Sequence, residues 1–210
     1  MDLTHSLAPA LQPEPGANRL TWMAWEQLWD KAAATKDPSL LARLIGSGID
    51  TPEKQGGAHR VFSYWAENPN KYEGKLMRLL LRNGALISPA LVAPLCACGI
   101  RAVELMKKNE VDLKATNFAG ENALSLACLI HNLREFTAVW NLLRDEGLDP
   151  AARDDCMETA WDAAEKYGKM DLVVRLEEER NMRIQAEQQA ADLDLATSGT
   201  KQPRKRQPRL

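Results

Sequence analysis

Histidine and cysteine, the side chains that most often bind metals or act as nucleophiles, are scarce in this chain. The three histidines, His5, His59 and His131, stand far apart, and none has the spacing of a metal ligand. The four cysteines include one close pair, Cys96 and Cys98, with no second pair to complete a tetrahedral zinc set. We therefore predict structural cysteines, no metal and no cofactor.

The motifs of common enzyme classes are also missing. The sequence has no Gly-rich phosphate loop, no dinucleotide fingerprint and no serine-hydrolase elbow. Its longest apolar stretch, residues 85–100, is broken by Pro89, Pro94 and Gly99 and is too short to span a bilayer. The N-terminus has no basic start followed by an apolar block, so no secretory signal is expected. These absences favour a cytoplasmic protein that is not an enzyme and does not contact membranes.

Charge is distributed unevenly along the 210 residues. The formal net charge is −2, and the final ten residues contribute +5, so the preceding 200 residues carry −7. Such an acidic body is unsuited as a whole to nucleic acid, whereas the tail alone could contact polyanions. The basic tail residues are Lys201, Arg204, Lys205, Arg206 and Arg209.

A repeat period organises the middle of the chain. The segments 29–33 (WDKAA) and 161–165 (WDAAE) lie 132 residues apart, which is four times 33. A 33-residue period is typical of a β-turn followed by two helices. Spacings of 33, 33, 29 and 37 place the first helices of five units at Gln27, Arg60, Ala93, Asn122 and Thr159. For the third unit, Ser88 and Pro89 are an alternative helix start. The second helices are predicted to end near Gly48, Gly84, Asn109, Gly147 and Glu178.

Three segments resemble the ankyrin-repeat family. Asn117–Ala127 (NFAGENALSLA) is similar to the family's finger and the opening of its first helix, and Asp154–Ala164 (DDCMETAWDAA) is similar again. A third match is Ala93–Cys98 (APLCAC). The resemblance covers about residues 22–180 and implies an all-α, ankyrin-like helical solenoid of about five helix-turn-helix units with short finger loops. The family's motif histidine is replaced in every unit, by Asp30, Ser63, Cys96, Ser125 and Asp162.

Four segments are predicted along the chain. Residues 1–20 are a flexible leader, 21–180 the ankyrin-like repeat domain, 181–196 a helical extension and 197–210 a disordered basic tail. Within the repeats, Gly56 and Gly57 are interpreted as a finger turn. The predicted core consists of Trp29, Leu44, Phe62, Leu79, Leu95, Leu105, Leu124, Leu142, Trp161 and Leu176.

The resemblance implies a protein–protein interaction module that binds its partner on the concave face of the array. The predicted partner-binding residues are Lys54, Gln55, Asn117, Phe118, Arg153, Asp155 and Met157. The partner is expected to be another protein, and the chain a monomer. Two alternatives stay open. One is a bacterial effector delivered into a host cell, whose basic tail resembles a nuclear import signal read by an import receptor. The other is contact with nucleic acid through that tail.

Overall fold

A computed structural model describes residues 19–46 and 56–198. Regular structure in these ranges is entirely helical, without a strand, and the predicted all-α class is therefore confirmed. The helices are α1 (Arg19–Thr35), α2 (Pro38–Gly46), α3 (Gly56–Glu67), α4 (Gly74–Arg82), α5 (Pro89–Cys96), α6 (Ile100–Lys108), α7 (Ala123–Ala127), α8 (Leu133–Asp145), α9 (Ala160–Lys166) and α10 (Met170–Ser198). One turn of 3-10 helix (Pro69–Lys71) follows α3.

The helices contact one another in two series. The odd-numbered helices from α1 to α9 touch in succession, and the even-numbered helices from α2 to α8 do the same. Contacts within the pairs α1–α2, α5–α6 and α7–α8 join the two series. The contacts separate the chain into two units at Gly168 and Lys169, so α10 is a unit of its own.

Three even-numbered helices end in the same way, at Gly84, Glu110 and Gly147. In each case this residue's N–H donates to the carbonyl three residues back, and the next N–H donates to the carbonyl five residues back, at 3.0–3.2 Å. The three residues have positive φ angles of 82°, 57° and 84°. Such left-handed backbone favours glycine. Glu110 therefore takes the place that glycine has in the two other helix ends.

The odd-numbered helices begin at unequal distances from these turns. Asn122 and Thr159 are the N-caps of α7 and α9 and follow Glu110 and Gly147 by 12 residues, as predicted. Ser88 follows Gly84 by only four residues, and Pro89 then opens α5. The predicted start at Ala93 is therefore wrong, because proline at the first helical position favours the earlier start. The predicted starts at Gln27 and Arg60 are also wrong, since both lie inside helices.

Gly56 and Gly57 open α3, so the finger turn predicted there is wrong. A Cβ atom built on Gly57 would lie 2.1–2.6 Å from the indole carbons of Trp29. The Trp29 side chain is fully buried in α1. A glycine at position 57 is therefore required by the close approach of α1 and α3.

The core prediction is right for six of ten residues and off by one position for the others. Those buried as predicted are Trp29, Leu44, Phe62, Leu95, Leu124 and Leu176. Those only half-buried are Leu79, Leu105, Leu142 and Trp161. Their sequence neighbours Leu80, Met106, Leu143 and Ala160 are fully buried instead. One residue turns a helix by about 100°, so this error moves a side chain from the centre of the apolar face to its edge.

The long helix α10 spans Met170–Ser198, so the predicted boundary between repeat domain and helical extension falls inside one helix. Among the described helices, none combines the length and the apolar character needed to cross a bilayer.

Candidate functional site

Two finger loops, residues 117–121 and 154–158, precede α7 and α9. In each loop the N–H of the first residue, Asn117 or Asp154, donates to the carbonyl of the fifth, and the N–H of the fourth donates to the carbonyl of the first. The side-chain Oδ1 of the first residue accepts from the N–H groups of the third and fifth residues at 2.9–3.0 Å. This is the pattern of a three-residue hairpin loop closed by a left-handed residue. The two fingers, 37 residues apart, therefore have the same backbone geometry.

Residues on both sides of the two fingers also correspond at a spacing of 37. Upstream, the Oδ1 atoms of Asp112 and Asp149 each accept at 3.0 Å from the backbone N–H two residues further on. Downstream, Asn122 and Thr159 cap the following helices, and Thr159 forms a capping box with Asp162. The Asp162 carboxylate accepts from the hydroxyl and N–H of Thr159 at 2.6 and 2.7 Å. These bonds hold the pKa of Asp162 below its ordinary value.

A direct hydrogen bond joins the two fingers. The N–H of Asp155 donates to the carbonyl of Ala119 at 3.1 Å. Gly120 lies beside this bond with φ 73°, and a Cβ atom there would come within 2.7 Å of the Asp155 carboxylate. Glycine at position 120 thus allows both the left-handed turn and the contact between fingers. Met157 has the equivalent position in the second finger, with φ 64°.

The two fingers bring five of the predicted partner-binding residues onto adjacent loops. Phe118 is 92% exposed and Met157 is 62% exposed, so their apolar surface faces solvent. The Arg153 guanidinium donates to the Met157 carbonyl at 2.8 Å and supports the second finger. Asn117 uses its side chain inside its own loop, since its Nδ2 also donates to Glu121 at 2.6 Å. Asp155 is exposed beside the inter-finger bond.

The remaining predicted site residues lie outside the described part of the chain. They are Lys54 and Gln55, together with the tail residues Lys201, Arg204, Lys205, Arg206 and Arg209.

Two aromatic rings, those of Trp65 and Tyr72, lie close to the thiol of Cys98. The Trp65 and Tyr72 rings meet edge to face with centroids 5.5 Å apart. The thiol of Cys98 donates to the Trp65 carbonyl at 3.4 Å. Burial raises the pKa of Cys98 to about 12 and also raises the pKa of Cys96. Thiols with such raised pKa values stay protonated at neutral pH and are poor nucleophiles.

All four cysteines are free, and Cys156 in the second finger is exposed. Residues 19–46 and 56–198 contain no group of three His, Cys, Asp or Glu side chains placed to hold a metal ion.

A groove of about 570 Å³ between α4 and α6 is a surface that the sequence analysis missed. Its charged lining residues are Glu73, Lys75, Arg78, Arg82, Arg101, Glu104 and Lys108. The three cations of α4 stand at i, i+3 and i+7, a spacing that puts them on one helix face. That spacing was the available signal in the sequence. A second recess, of about 400 Å³, lies between the loop after α4 and residues 109–115.

Comparison of the chain with protein-family models and with curated proteins gave no match.

Proposed function

We propose that the chain is a non-catalytic protein–protein interaction module, built as an ankyrin-like solenoid, that binds a partner protein through its finger loops. The observation that carries the proposal is Phe118, whose ring is 92% exposed on a loop fixed by internal hydrogen bonds. A large aromatic side chain at a rigid tip contributes nothing to the core and is available to a partner.

The ankyrin-like arrangement is supported by two independent regularities. The odd-numbered and even-numbered helices of residues 19–168 form successive contacts within each series, as stacked helix pairs do. The same helix end recurs at Gly84, Glu110 and Gly147, and the same finger recurs at 117–121 and 154–158. In arrays of this kind each unit contacts only its neighbours, which leaves an extended surface for binding.

The finger geometry favours tight binding because little freedom is lost when a partner docks. Each finger already has its backbone hydrogen bonds, and the bond from Asp155 to Ala119 fixes one finger against the other. Preorganised loops reduce the cost of ordering an interface. Burial of an exposed Phe or Met side chain contributes about 1.5–3 kcal/mol each, and aromatic anchors are frequent among interface hot spots.

The test uses the full chain as bait to isolate a partner, followed by titration of that partner. Cys156 offers a label in the second finger, because it is the exposed thiol. A fluorophore on Cys156 should change its emission when the partner binds. Phe118→Ala with Met157→Ala should weaken binding at least about tenfold, which is 1.4 kcal/mol.

A control pair removes exposed apolar surface elsewhere. Leu133 is 58% exposed and Met182 is 62% exposed, and neither belongs to a finger. Leu133→Ala with Met182→Ala should leave the affinity within about twofold, as expected for substitutions outside an interface. Equal weakening by both pairs would mean that general surface apolarity, and not the fingers, governs binding.

Truncation after residue 196 tests the functions assigned to the basic tail. We expect the truncated chain to keep its partner affinity within a few-fold and to stay in the cytoplasm. Loss of binding on truncation, with no effect of the finger substitutions, would transfer the function to the tail. Tail-dependent entry into the nucleus of a eukaryotic cell would support the effector alternative. A salt-dependent affinity for DNA that is lost with the tail would support nucleic-acid contact.

A further inference from the structure

The groove between α4 and α6 concentrates positive charge on a chain whose first 200 residues carry −7. Five cations and two carboxylates line it, which gives a local charge of +3. All five cations are exposed, and within the described ranges none forms an ion pair with a carboxylate. The next groove along the array differs, because there Lys107 of α6 is paired with Glu146 at the end of α8.

The two helices that form the groove run in the same direction. The loop after α4 and the residues after α6 line a common recess, so the C-terminal ends of both helices lie together. The matching ends of α4 and α6, at Gly84 and Glu110, are 26 residues apart in the sequence. Each residue of α4 therefore corresponds to the residue 26 positions later in α6.

This correspondence arranges six of the seven charges in three steps along the groove; the seventh, Glu73, caps the N-terminus of α4 and reduces the net charge at that end to +1. Lys75 corresponds to Arg101 at the N-terminal end, and Arg82 corresponds to Lys108 at the C-terminal end. Between them Arg78 corresponds to Glu104, so the centre of the groove carries no net charge. The two cation pairs are seven residues apart on each helix, which is roughly 10 Å at the helical rise.

We propose that this groove binds an acidic segment of a partner protein, with two carboxylate groups spaced to match the two cation pairs. In a peptide with polyproline II backbone, acidic residues three positions apart lie on the same face and are separated by roughly 9 Å. Arg82 and Arg101 can hold carboxylates through paired hydrogen bonds, which lysine cannot do. The peptide's neutral residues would pass over the centre, next to Glu104.

Nucleic acid fits this groove less well than an acidic peptide. A phosphate backbone carries charge continuously, so it would place a phosphate beside Glu104, and like charges at close range repel. The acidic body of the chain also repels a long polyanion, whereas a short peptide contacts only the groove.

The cationic groove is distinct from the finger surface. Even-numbered helices α4 and α6 form the groove, whereas the fingers lead into the odd-numbered helices α7 and α9. The groove and the fingers therefore belong to different elements of the fold.

The test uses a fluorescein-labelled peptide, Gly-Ser-Asp-Ala-Ala-Asp-Ser-Gly, and the full chain at low ionic strength, with binding read by fluorescence anisotropy. We expect saturable binding that weakens as salt is added, because exposed charges are screened. The same peptide with Asn in place of every Asp should not bind. Absence of saturable binding by the Asp peptide, or equal binding of both peptides, would overturn the proposal.

Variants locate the peptide in the groove. Arg82→Glu with Lys108→Glu should weaken binding at least about tenfold, or 1.4 kcal/mol. Lys31→Glu with Arg134→Glu changes the net charge equally at exposed positions outside the groove and is the control, for which we expect a change below threefold. Equal weakening by both pairs would assign binding to overall charge and refute the groove.

The Glu104→Gln variant and a DNA ligand test whether the groove prefers an acidic peptide to a polyanion. It should tighten peptide binding only modestly, because the neutral centre of the peptide lies there. Binding of a labelled twelve-nucleotide DNA to the full chain should not change when Arg82→Glu and Lys108→Glu are introduced. DNA binding that is tighter than peptide binding and that these two substitutions weaken would overturn the proposal in favour of nucleic acid. Circular dichroism melting of each variant confirms that the substituted chain is folded.

Discussion

The contact of Gly57 with Trp29 makes a sharp prediction about how α1 and α3 pack. A Cβ atom at position 57 would lie 2.1, 2.4 and 2.6 Å from three indole carbons of Trp29. Carbon atoms in favourable contact lie about 3.5–4.0 Å apart. Gly57→Ala therefore forces the indole or the α3 backbone to move by more than about 1 Å, in a region where the Trp29 side chain is fully buried.

Two effects of opposite sign decide how much Gly57→Ala changes the free energy of unfolding. Overpacking a core costs typically about 1–3 kcal/mol, and the overlap at Gly57 is severe enough to place the cost in the upper half of that range. Alanine in place of helical glycine stabilises by up to about 1 kcal/mol. We expect a net loss of about 2 kcal/mol, which for a chain of this length lowers Tm by about 4–8 °C.

The assay is denaturant unfolding of four chains: unaltered, Gly57→Ala, Trp29→Leu and the double variant. In the Trp29→Leu background the added methyl group has no indole to displace, so Gly57→Ala should be neutral or stabilising by up to about 1 kcal/mol. The coupling between the two sites should then be at least about 2 kcal/mol. If Gly57→Ala stabilises the unaltered chain, α1 and α3 do not pack as described and the reasoning fails.

Three further predictions concern a helix end, a cap and a thiol. Glu110→Gly should stabilise the chain by about 0.5–1 kcal/mol, because left-handed backbone costs a non-glycine residue more than glycine loses in entropy. Gly147→Glu should destabilise by a similar amount, and a loss of stability on Glu110→Gly would contradict the shared helix end. Asp162→Asn should lower Tm at pH 7; because the pKa of Asp162 is lowered in the folded chain, that difference should shrink as the pH falls below its ordinary value of 3.8. With a chromogenic disulfide reagent at pH 8, Cys156 should react quickly, whereas Cys98 and the other two thiols should react only on unfolding; four fast thiols would contradict the described burial.

The last two units were the most predictable part of the fold because their boundaries carry local chemistry. Asn122 and Thr159 are N-caps with side chains that accept backbone N–H groups, and both were placed correctly. Their fingers begin with Asn117 and Asp154, residues whose short polar side chains close turns on their own backbone. Because each of these signals acts within a few residues, the sequence alone is enough to locate them.

The first three units were predicted less well: the third begins at Pro89, a local signal that the repeat spacing overrode, and the packing around Gly57 depends on a contact between distant residues. The sequence around Gly57 predicts a turn, but glycine is required there because the indole of Trp29, 28 residues earlier, packs against its backbone. In the even-numbered helices, adjacent leucines such as Leu79 and Leu80 satisfy the apolar pattern equally, and only the packing of neighbouring helices decides which is buried. The groove cations were overlooked because the α4 spacing indicates only a shared face, and the groove itself forms when α6 lies alongside.

The separation of the two surfaces sets an expectation for how their variants combine. The finger residues Phe118 and Met157 and the groove residues Arg82 and Lys108 belong to different loops and helices and share no described contact. Substitutions at sites without shared partners have additive effects. For a partner that uses both surfaces, the variant with all four substitutions should lose a binding free energy equal to the sum of the losses of the two pairs. For a partner that uses one surface, substituting the second pair should cause no further loss. A loss larger than the sum would mean that strain is transmitted between the two surfaces, contrary to the proposed stack in which each unit contacts only its neighbours.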